Sequence, residues 1–351
     1  MLVAAGALTS LASPADATSE VTARRLAGAD RYQTAAAIAR VTFPGRSDGE
    51  PRAAIANVAR GDAFPDALSA VNINGGSAPT LLTARDNLPQ PTAAVLRDFG
   101  TSTVNILGQP DVVTERVRQQ IADLRITTHR RGGNDRYATA AIAFKAGYNF
   151  EGRVLGRVDG LRTAFIASGV RYADAMSAGP LSYQANLPLL LSAPDELLAV
   201  TRDALMYDGG LDRESYAAEQ VVVVGGPAVV SDNVVREIEA LGITVRRVAG
   251  SNRQETAIKV FEFAEAEFAW KVDHVNLARG DGFADAIAGG PHAGEDMAPV
   301  LLTVGVNDLG SVNREFLRRR SSTVASIDVF GDSTAVSDAV VADAKNAAGG
   351  Q

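Results

Sequence analysis

RLAGADRYQTAAAIA (residues 25–39), RGGNDRYATAAIA (131–143) and RVAGSNRQETAI (247–258) are three versions of one segment. In each, an arginine (Arg31, Arg136 or Arg253) directly follows an Asp or Asn and stands one helical turn before a threonine. Three further blocks follow in the same order. ARGDAFPDALSA (59–70), ASGVRYADAMSA (167–178) and ARGDGFADAIAG (278–289) align on Asp66, Asp174 and Asp285. A Pro-x-Leu-Leu strand comes next, at 79–82, 188–191 and 299–302. A strand ending in glycine closes the set, at Gly108, Gly225 and Gly331. Four blocks repeat three times in register, with a period of about 110 residues. That is the length of a small domain and too long for a solenoid repeat. The reading divides the chain into a leading segment over 1–23 and three units over 24–128, 129–245 and 246–351.

Within a unit, helical and strand patterns alternate. In the first unit the spacing predicts helices over 30–40, 66–74, 91–99 and 114–124, and strands over 53–59, 79–83, 103–107 and 125–130. The apolar run 221–224 shows no inside–outside alternation, which marks a strand buried on both faces. Strands and helices in alternation build parallel βα units in an open sheet. Ligands of such sheets sit beyond the carboxyl ends of the strands. The Asp block follows the first strand and the glycine block follows the third, so both are expected at that edge.

The bulk composition is that of a globular protein. Of 351 residues, 46% are hydrophobic and 21% charged, enough apolar material for several cores. A net charge of −7 argues against broad nucleic-acid binding, which needs a basic face. With no cysteine, disulfides, thiolate catalysis and Cys-ligated metals are excluded. The three histidines, His129, His274 and His292, show no metal-binding spacing, so each is expected at the surface, with no metal and no cofactor. Residues 2–12 form a short apolar run, and Ala15 and Ala17 stand where a leader-peptidase site needs small residues. That layout predicts export, although no basic segment precedes it. No later stretch is apolar for long enough to span a bilayer.

Asp66, Asp174 and Asp285 stand at helix starts, where a carboxylate serves as an N-cap or offsets the helix dipole; a ligand contact is compatible with either. The guanidinium groups of Arg31, Arg136 and Arg253 present a planar fork suited to carboxylate or phosphate. The competing role is an internal salt bridge, with the aspartate of the second block as partner. Arg60 and Arg279 follow the first strand as further candidates, but Ser168 holds that place in the second unit. Gly225-Gly226-Pro227 lacks the spacing of a phosphate loop and reads as a tight turn. The leucine pairs have no second helix layer within so short a unit, so neighbouring copies are expected to cover them.

Together the four blocks resemble the cell wall binding repeat 2 family, over about nine-tenths of the chain and in all three copies. The resemblance implies three Rossmann-like parallel-sheet units arranged as an intramolecular pseudo-threefold trimer. It implies a module of a secreted, surface-located protein of Gram-positive bacteria, attached non-covalently to an anionic wall polymer of teichoic-acid or secondary-polysaccharide type. By that resemblance Leu81, Leu82, Leu189, Leu190, Leu191, Leu301 and Leu302 support contacts between units, and Arg31, Arg136 and Arg253 contact polymer. The sequence departs from the pattern where Gln254 replaces the tyrosine of the other copies, Tyr32 and Tyr137, and where Gly169-Val170 replaces Gly-Asp. A non-catalytic, monomeric binding module is therefore expected, with no segment outside the triplet left for a catalytic domain. Two alternatives are a Rossmann-type enzyme acting on a nucleotide or sugar-nucleotide, and a structural protein of a surface array.

Overall fold

The computed structural model describes residues 20–45, 51–73, 78–151, 155–207 and 217–350, so the apolar run near the start lies outside the described residues. The first repeat and the start of the second contain β1 (Thr22–Leu26), α1 (Arg31–Thr42), β2 (Ile55–Arg60), a 3-10 helix (Ala67–Asn72), β3 (Thr80–Thr83), α2 (Gln90–Asp98), β4 (Thr103–Leu107), α3 (Glu115–Ala122) and β5 (Thr127–Arg131). The rest of the second and the start of the third contain α4 (Arg136–Glu151), β6 (Arg157–Val158), β7 (Leu161–Ser168), α5 (Tyr172–Ala185), β8 (Leu189–Ser192), α6 (Ala199–Leu205), β9 (Gln220–Val224), α7 (Asp232–Glu239) and β10 (Thr244–Val248). The third contains α8 (Arg253–Phe268), β11 (His274–Arg279), α9 (Ala284–Glu295), β12 (Val300–Thr303), α10 (Ser311–Arg319), β13 (Ser326–Phe330) and α11 (Asp338–Ala348).

Local chemistry explains these elements. Asp30 accepts a hydrogen bond from the Gln33 amide, and Asn252 one from the Glu255 amide, so the polar residue before each arginine caps a helix. Strand β9 is QVVVV and buried throughout, as a β-branched run between two helix layers should be. Helix α7 buries Val234 and Ile238, one turn apart, and turns its charged face outward.

The three sheets share one parallel strand order, β3-β2-β4-β5, β8-β7-β9-β10 and β12-β11-β13-β1. Only the second sheet adds an antiparallel strand among the described residues, the two-residue β6. The last strand of each sheet comes from the beginning of a repeat. The boundaries read at 128/129 and 245/246 fall inside β5 and β10. The third sheet takes its last strand from the far end of the chain, where β1 runs beside β13 from Thr22–Ser326 to Leu26–Phe330. The chain thereby closes into a ring.

One arginine on each of these strands fixes the closure. Arg25 donates to the carbonyls of Gly331 and Val336, both at 2.9 Å, and to the Asp338 carboxylate at 2.7 Å. Arg130 does the same to Gly108, Val113 and Glu115, and Arg247 to Gly225, Val230 and Asp232. The fork spans the turn after the preceding strand and reaches the acidic first residue of the following helix. It satisfies carbonyls that the turn leaves unpaired.

At the centre of the ring the 3-10 helix, α5 and α9 pack on one another. Each also packs on the first helix of the next repeat: the 3-10 helix on α4, α5 on α8, and α9 on α1. Small residues permit the approach. A Cβ on Gly294 would lie 2.8 Å from the Pro180 carbonyl and 2.7 Å from the Tyr183 ring. The period of two along a strand divides the leucines assigned to contacts between units. Leu82, Leu189 and Leu191 join the central apolar cluster, whereas Leu81 and Leu190 point into the cores of their own units. Leu301 and Leu302 share one continuous cluster that merges the third unit's core with the centre. Asn72 adds a polar link that the repeat pattern does not announce. Its amide accepts from the Leu189 N–H at 2.7 Å and donates to the Leu189 carbonyl at 2.8 Å, extending the β8 edge from the first unit.

Because β1 completes the third sheet, removing residues 1–27 should strip the β13 edge and open the ring. We expect lower thermal stability and lost amide-exchange protection across β13 and α11, measured by hydrogen exchange. Arg25→Gln should reproduce part of this, costing about 1.5–3 kcal/mol for a charged hydrogen-bonding group. Equal stability of the truncated and full chains would contradict the closure.

Candidate functional site

The arginines and aspartates of the repeated blocks meet where adjoining units touch, and each pair is drawn from two units. Asp66 of the first unit faces Thr139 and Arg136 of the second. Asp174 faces Thr256 and Arg253 of the third. Asp285 faces Arg31 of the first, which completes the circuit. None of the three arginines forms a contact ion pair among the described residues. Each instead donates to a carbonyl of its own unit, Arg31 to Gly61 at 2.5 Å, Arg136 to Gly169 at 2.6 Å and Arg253 to Gly280 at 2.5 Å. The expected salt bridge within a unit is thus replaced by a backbone contact within the unit and a longer-range charge interaction across the junction.

The aspartates are not side-chain N-caps. Asp66 precedes the 3-10 helix without a capping hydrogen bond, and Asp174 and Asp285 lie in the first turns of α5 and α9. Their carboxylates tuck instead beneath the glycine that ends the third strand. Gly108, Gly225 and Gly331 have φ of 94°, 115° and 98°, in the left-handed region. A Cβ there would come within 2.7 Å of Asp66, Asp174 and Asp285 respectively. Glycine is therefore demanded twice, by the turn and by the carboxylate.

Burial raises all three carboxyl pKa values. At Asp66 the Thr139 hydroxyl and Arg136 oppose it, and at Asp174 the Thr256 hydroxyl and Arg253. Asp285 is pushed to about 6 by burial, with Arg31 opposing and the nearby Asp332 adding to the rise.

An aromatic side chain stands two residues before each aspartate. Phe64, Tyr172 and Phe283 meet at the centre of the ring, with centroids 5.0, 5.9 and 5.9 Å apart. Arg136 lies 5.5 Å above Phe64, and Arg31 5.9 Å above Phe283. Each pair is a cation–π contact between neighbouring units. The aromatic position was visible in the second block of every copy, but its meaning requires the ring.

Two junctions open into clefts. Between the third and first units, a cleft of about 590 Å³ is lined by Arg31, Thr34, Phe64, Tyr172, Asp285 and the Gly331 turn, among others. Between the second and third, one of about 460 Å³ is lined by Arg171, Asp174, the 226–229 turn, Asn252 and Arg253. The two differ in charge. The first holds Arg31 and Arg279 against Asp30, Asp281, Asp285 and Asp332, and the second holds Arg171 and Arg253 against Asp174 alone. Arg279 and Arg60, both candidates from sequence, fork onto Asp281 and Asp62 of their own loops, which neutralises them. In the second unit Ser168 replaces that arginine and accepts from the amides of Val170 and Arg171.

A second constellation lies outside these clefts. His292 is 3% exposed and packs with His274, Asp296 and Asp328, which corrects the expectation of unclustered surface histidines. Sequence spacing concealed the group because its members come from β11, the end of α9 and β13.

The model of the family Cell wall binding domain 2 matches residues 25–118, 130–235 and 247–341. The N-acetylmuramoyl-L-alanine amidase LytC of Bacillus subtilis strain 168 is 32% identical over 211 residues, 60% of this chain and 37% of the amidase. An uncharacterized protein of Pyrococcus abyssi is 29% identical over 158 residues, 45% of each chain. The chain thus spans less than half the length of these curated relatives. Among solved structures, Cwp6 from Clostridium difficile superposes with a TM-score of 0.78 at 21% identity, covering 98% of this chain and 51% of that one. Cwp8 from the same organism gives 0.76 at 22% identity, covering 95% and 52%. With its three matched segments in register with the three repeats, the chain belongs to the cell wall binding domain 2 family.

Proposed function

We propose that the chain is a non-catalytic anchor that holds a secreted protein at the cell surface by binding an anionic wall glycopolymer in the clefts between its units. The observation that carries this reading is the recurrence at every junction of one guanidinium that holds a carbonyl and, among the described residues, no contact ion pair, on Arg31, Arg136 and Arg253. A polymer with a repeating anionic group matches a set of spaced cations, and weak sites on one chain gain from effective concentration. By charge balance, the cleft formed by Arg171 and Arg253 is the strongest of the set. A nucleotide-binding enzyme is the weaker reading for a physical reason. The place a phosphate would take, at the strand-to-helix turn, already holds the carboxylates of Asp66, Asp174 and Asp285. A carboxylate there repels the anion that such a turn would otherwise bind.

Sedimentation with purified walls tests the reading. Arg253→Gln should weaken retention by about tenfold, equivalent to about 1.4 kcal/mol. The triple variant at Arg31, Arg136 and Arg253 should melt lower, since the hydrogen bonds to Gly61, Gly169 and Gly280 go with the charge, and its folded fraction should lose retention. Raising the salt should mimic the loss, because exposed charges are screened. A folded triple variant that binds walls normally would remove these arginines from the site.

Asp285 predicts a pH dependence. Its folded pKa of about 6 lies above the ordinary 3.8, so the folded state holds the proton more tightly than the unfolded chain. The stabilisation is full below about pH 4 and is lost as pH rises through about 6, at most about 3 kcal/mol. Urea melts from pH 4.5 to 7.5 should show this fall, and Asp285→Asn should flatten it and stabilise the ring at neutral pH. An unchanged slope in that variant would place the titration elsewhere.

A further inference from the structure

We propose that His274, His292, Asp296 and Asp328 bind one divalent transition-metal ion of the zinc type at the seam between the third and first units. One donor atom from each lies within 4.8 Å of the others. His292 Nε2 is 2.8 Å from Asp328 Oδ2 and 3.3 Å from Asp296 Oδ2. His274 Nε2 is 3.6 and 3.8 Å from the same two oxygens. Ligands about 2.1 Å from a tetrahedral ion stand about 3.4 Å apart, so of the four nitrogen–oxygen pairs the 2.8 Å one must part by about half an ångström and the 3.6 and 3.8 Å ones must close slightly.

Hydrogen bonding on the far side of each imidazole aims its Nε2 at this centre. The Thr42 hydroxyl donates to the Ile38 carbonyl at 2.9 Å and lies 3.1 Å from His292 Nδ1. A hydroxyl has one proton, so while that proton serves Ile38, Nδ1 is the donor to Thr42; turned to Nδ1 instead, it would let Nε2–H donate to Asp328. In the first arrangement a neutral His292 presents a bare lone pair to Asp328, acceptor against acceptor, unless a cation stands between them. A proton could fill that role for His292, but it leaves His274 unserved. His274 Nδ1 meets Ser326 Oγ at 2.8 Å, while its buried Nε2 lies 3.6 and 3.8 Å from the two carboxylates, beyond a hydrogen bond to either. A metal ion serves both nitrogens and both carboxylates at once. Two imidazoles and two carboxylates form a donor set suited to zinc, and hydroxyls orienting the rings are the outer shell such sites need.

The site has an approach from solvent and a local purpose. A cleft of about 490 Å³, lined by Thr22, Arg24, Asp273, His274, Asp296 and Asp328, opens onto it. Arg24 forks onto Asp328 from that side, with Nε 2.9 Å from Oδ1 and Nη2 on Oδ2. A carboxylate has lone pairs for both the guanidinium and an ion. The corresponding positions are Ile55, Ile73 and Asn105 in the first unit and Thr163, Leu181 and Val222 in the second, so the cluster is peculiar to the third. There an ion would clamp β11, β13 and the end of α9 where β1 closes the ring.

The full chain, stripped with a chelator, is titrated with Zn²⁺ alone by calorimetry and melted with and without the ion. We expect one equivalent bound, a higher melting temperature, and visible bands of tetrahedral cobalt when Co²⁺ replaces zinc. His274→Gln and Asp296→Asn should each reduce affinity at least tenfold while melting normally in chelator; Asp296 lies at the exposed rim, so its variant tests the site even where a histidine variant fails to fold. Thr42→Val, which leaves all four ligands in place, should weaken binding by about ten- to a hundredfold. No stoichiometric binding by the parent, or binding unchanged in the Asp296 variant, would overturn the proposal and leave a proton between His292 and Asp328.

Discussion

Every sheet in this chain lacks one strand until the next repeat supplies it. A parallel sheet edge left bare exposes a row of unpaired N–H and C=O groups, and here β5, β10 and β1 cover those edges from the beginning of the following segment. Arg130, Arg247 and Arg25 lock each strand to the turn behind it. For two junctions the donor is the next stretch of chain, at little cost in loop closure. For the third, the donor lies some three hundred residues away, and the entropy of closing that loop has to be met by contacts made around the whole ring. Unit, sheet and repeat are thus three different divisions of the sequence, and the fold depends on their being out of step.

The same offset explains why the site residues pair across units. The arginine of a repeat begins its first helix only a few residues after the strand donated to the preceding unit. It is therefore delivered beside that unit's glycine turn and its aspartate. Burial of the carboxylate under glycine, the cation–π stack on the preceding aromatic and the backbone contact to its own loop all follow from one placement. The geometry leaves the guanidinium held but not neutralised. Its charge opposes the rise that burial gives the pKa of the facing carboxyl.

The order of elements, the glycine turns and the positions of the arginines and aspartates were legible in the sequence, because local periodicity and threefold repetition both report them. The 30–40, 103–107 and 114–124 elements lie within two residues of α1, β4 and α3. Partnership was not legible. The repeat of Arg31, Arg136 and Arg253 records where a side chain is needed but not which unit supplies its counterpart, so a salt bridge within one unit and a ligand contact read equally well from the sequence. The division of Leu81 from Leu82 follows from strand alternation once the layers are known. Asn72 and the His274–His292 group occur once each, so repetition gave them no weight; they were found only where distant strands and helices converge.

Nonrepetition of this kind bears on how a ring of three similar units can act. A strictly symmetric trimer would offer one site three times. Here the clefts differ in charge, the first and second units carry tyrosine where the third has Gln254 bonded to the Thr303 carbonyl, and only the third unit gathers histidines. The Tyr137 ring packs against Gly169 and that of Tyr32 against Gly61, whereas the equivalent Gly280 is approached by a backbone carbonyl instead. These substitutions leave the strand order intact, since that depends on the sheets and their arginine locks. They alter only the surfaces between units. The closing junction, which bears the longest loop, is also the one where Asp285 is pushed to about 6 and where His274, His292, Asp296 and Asp328 gather.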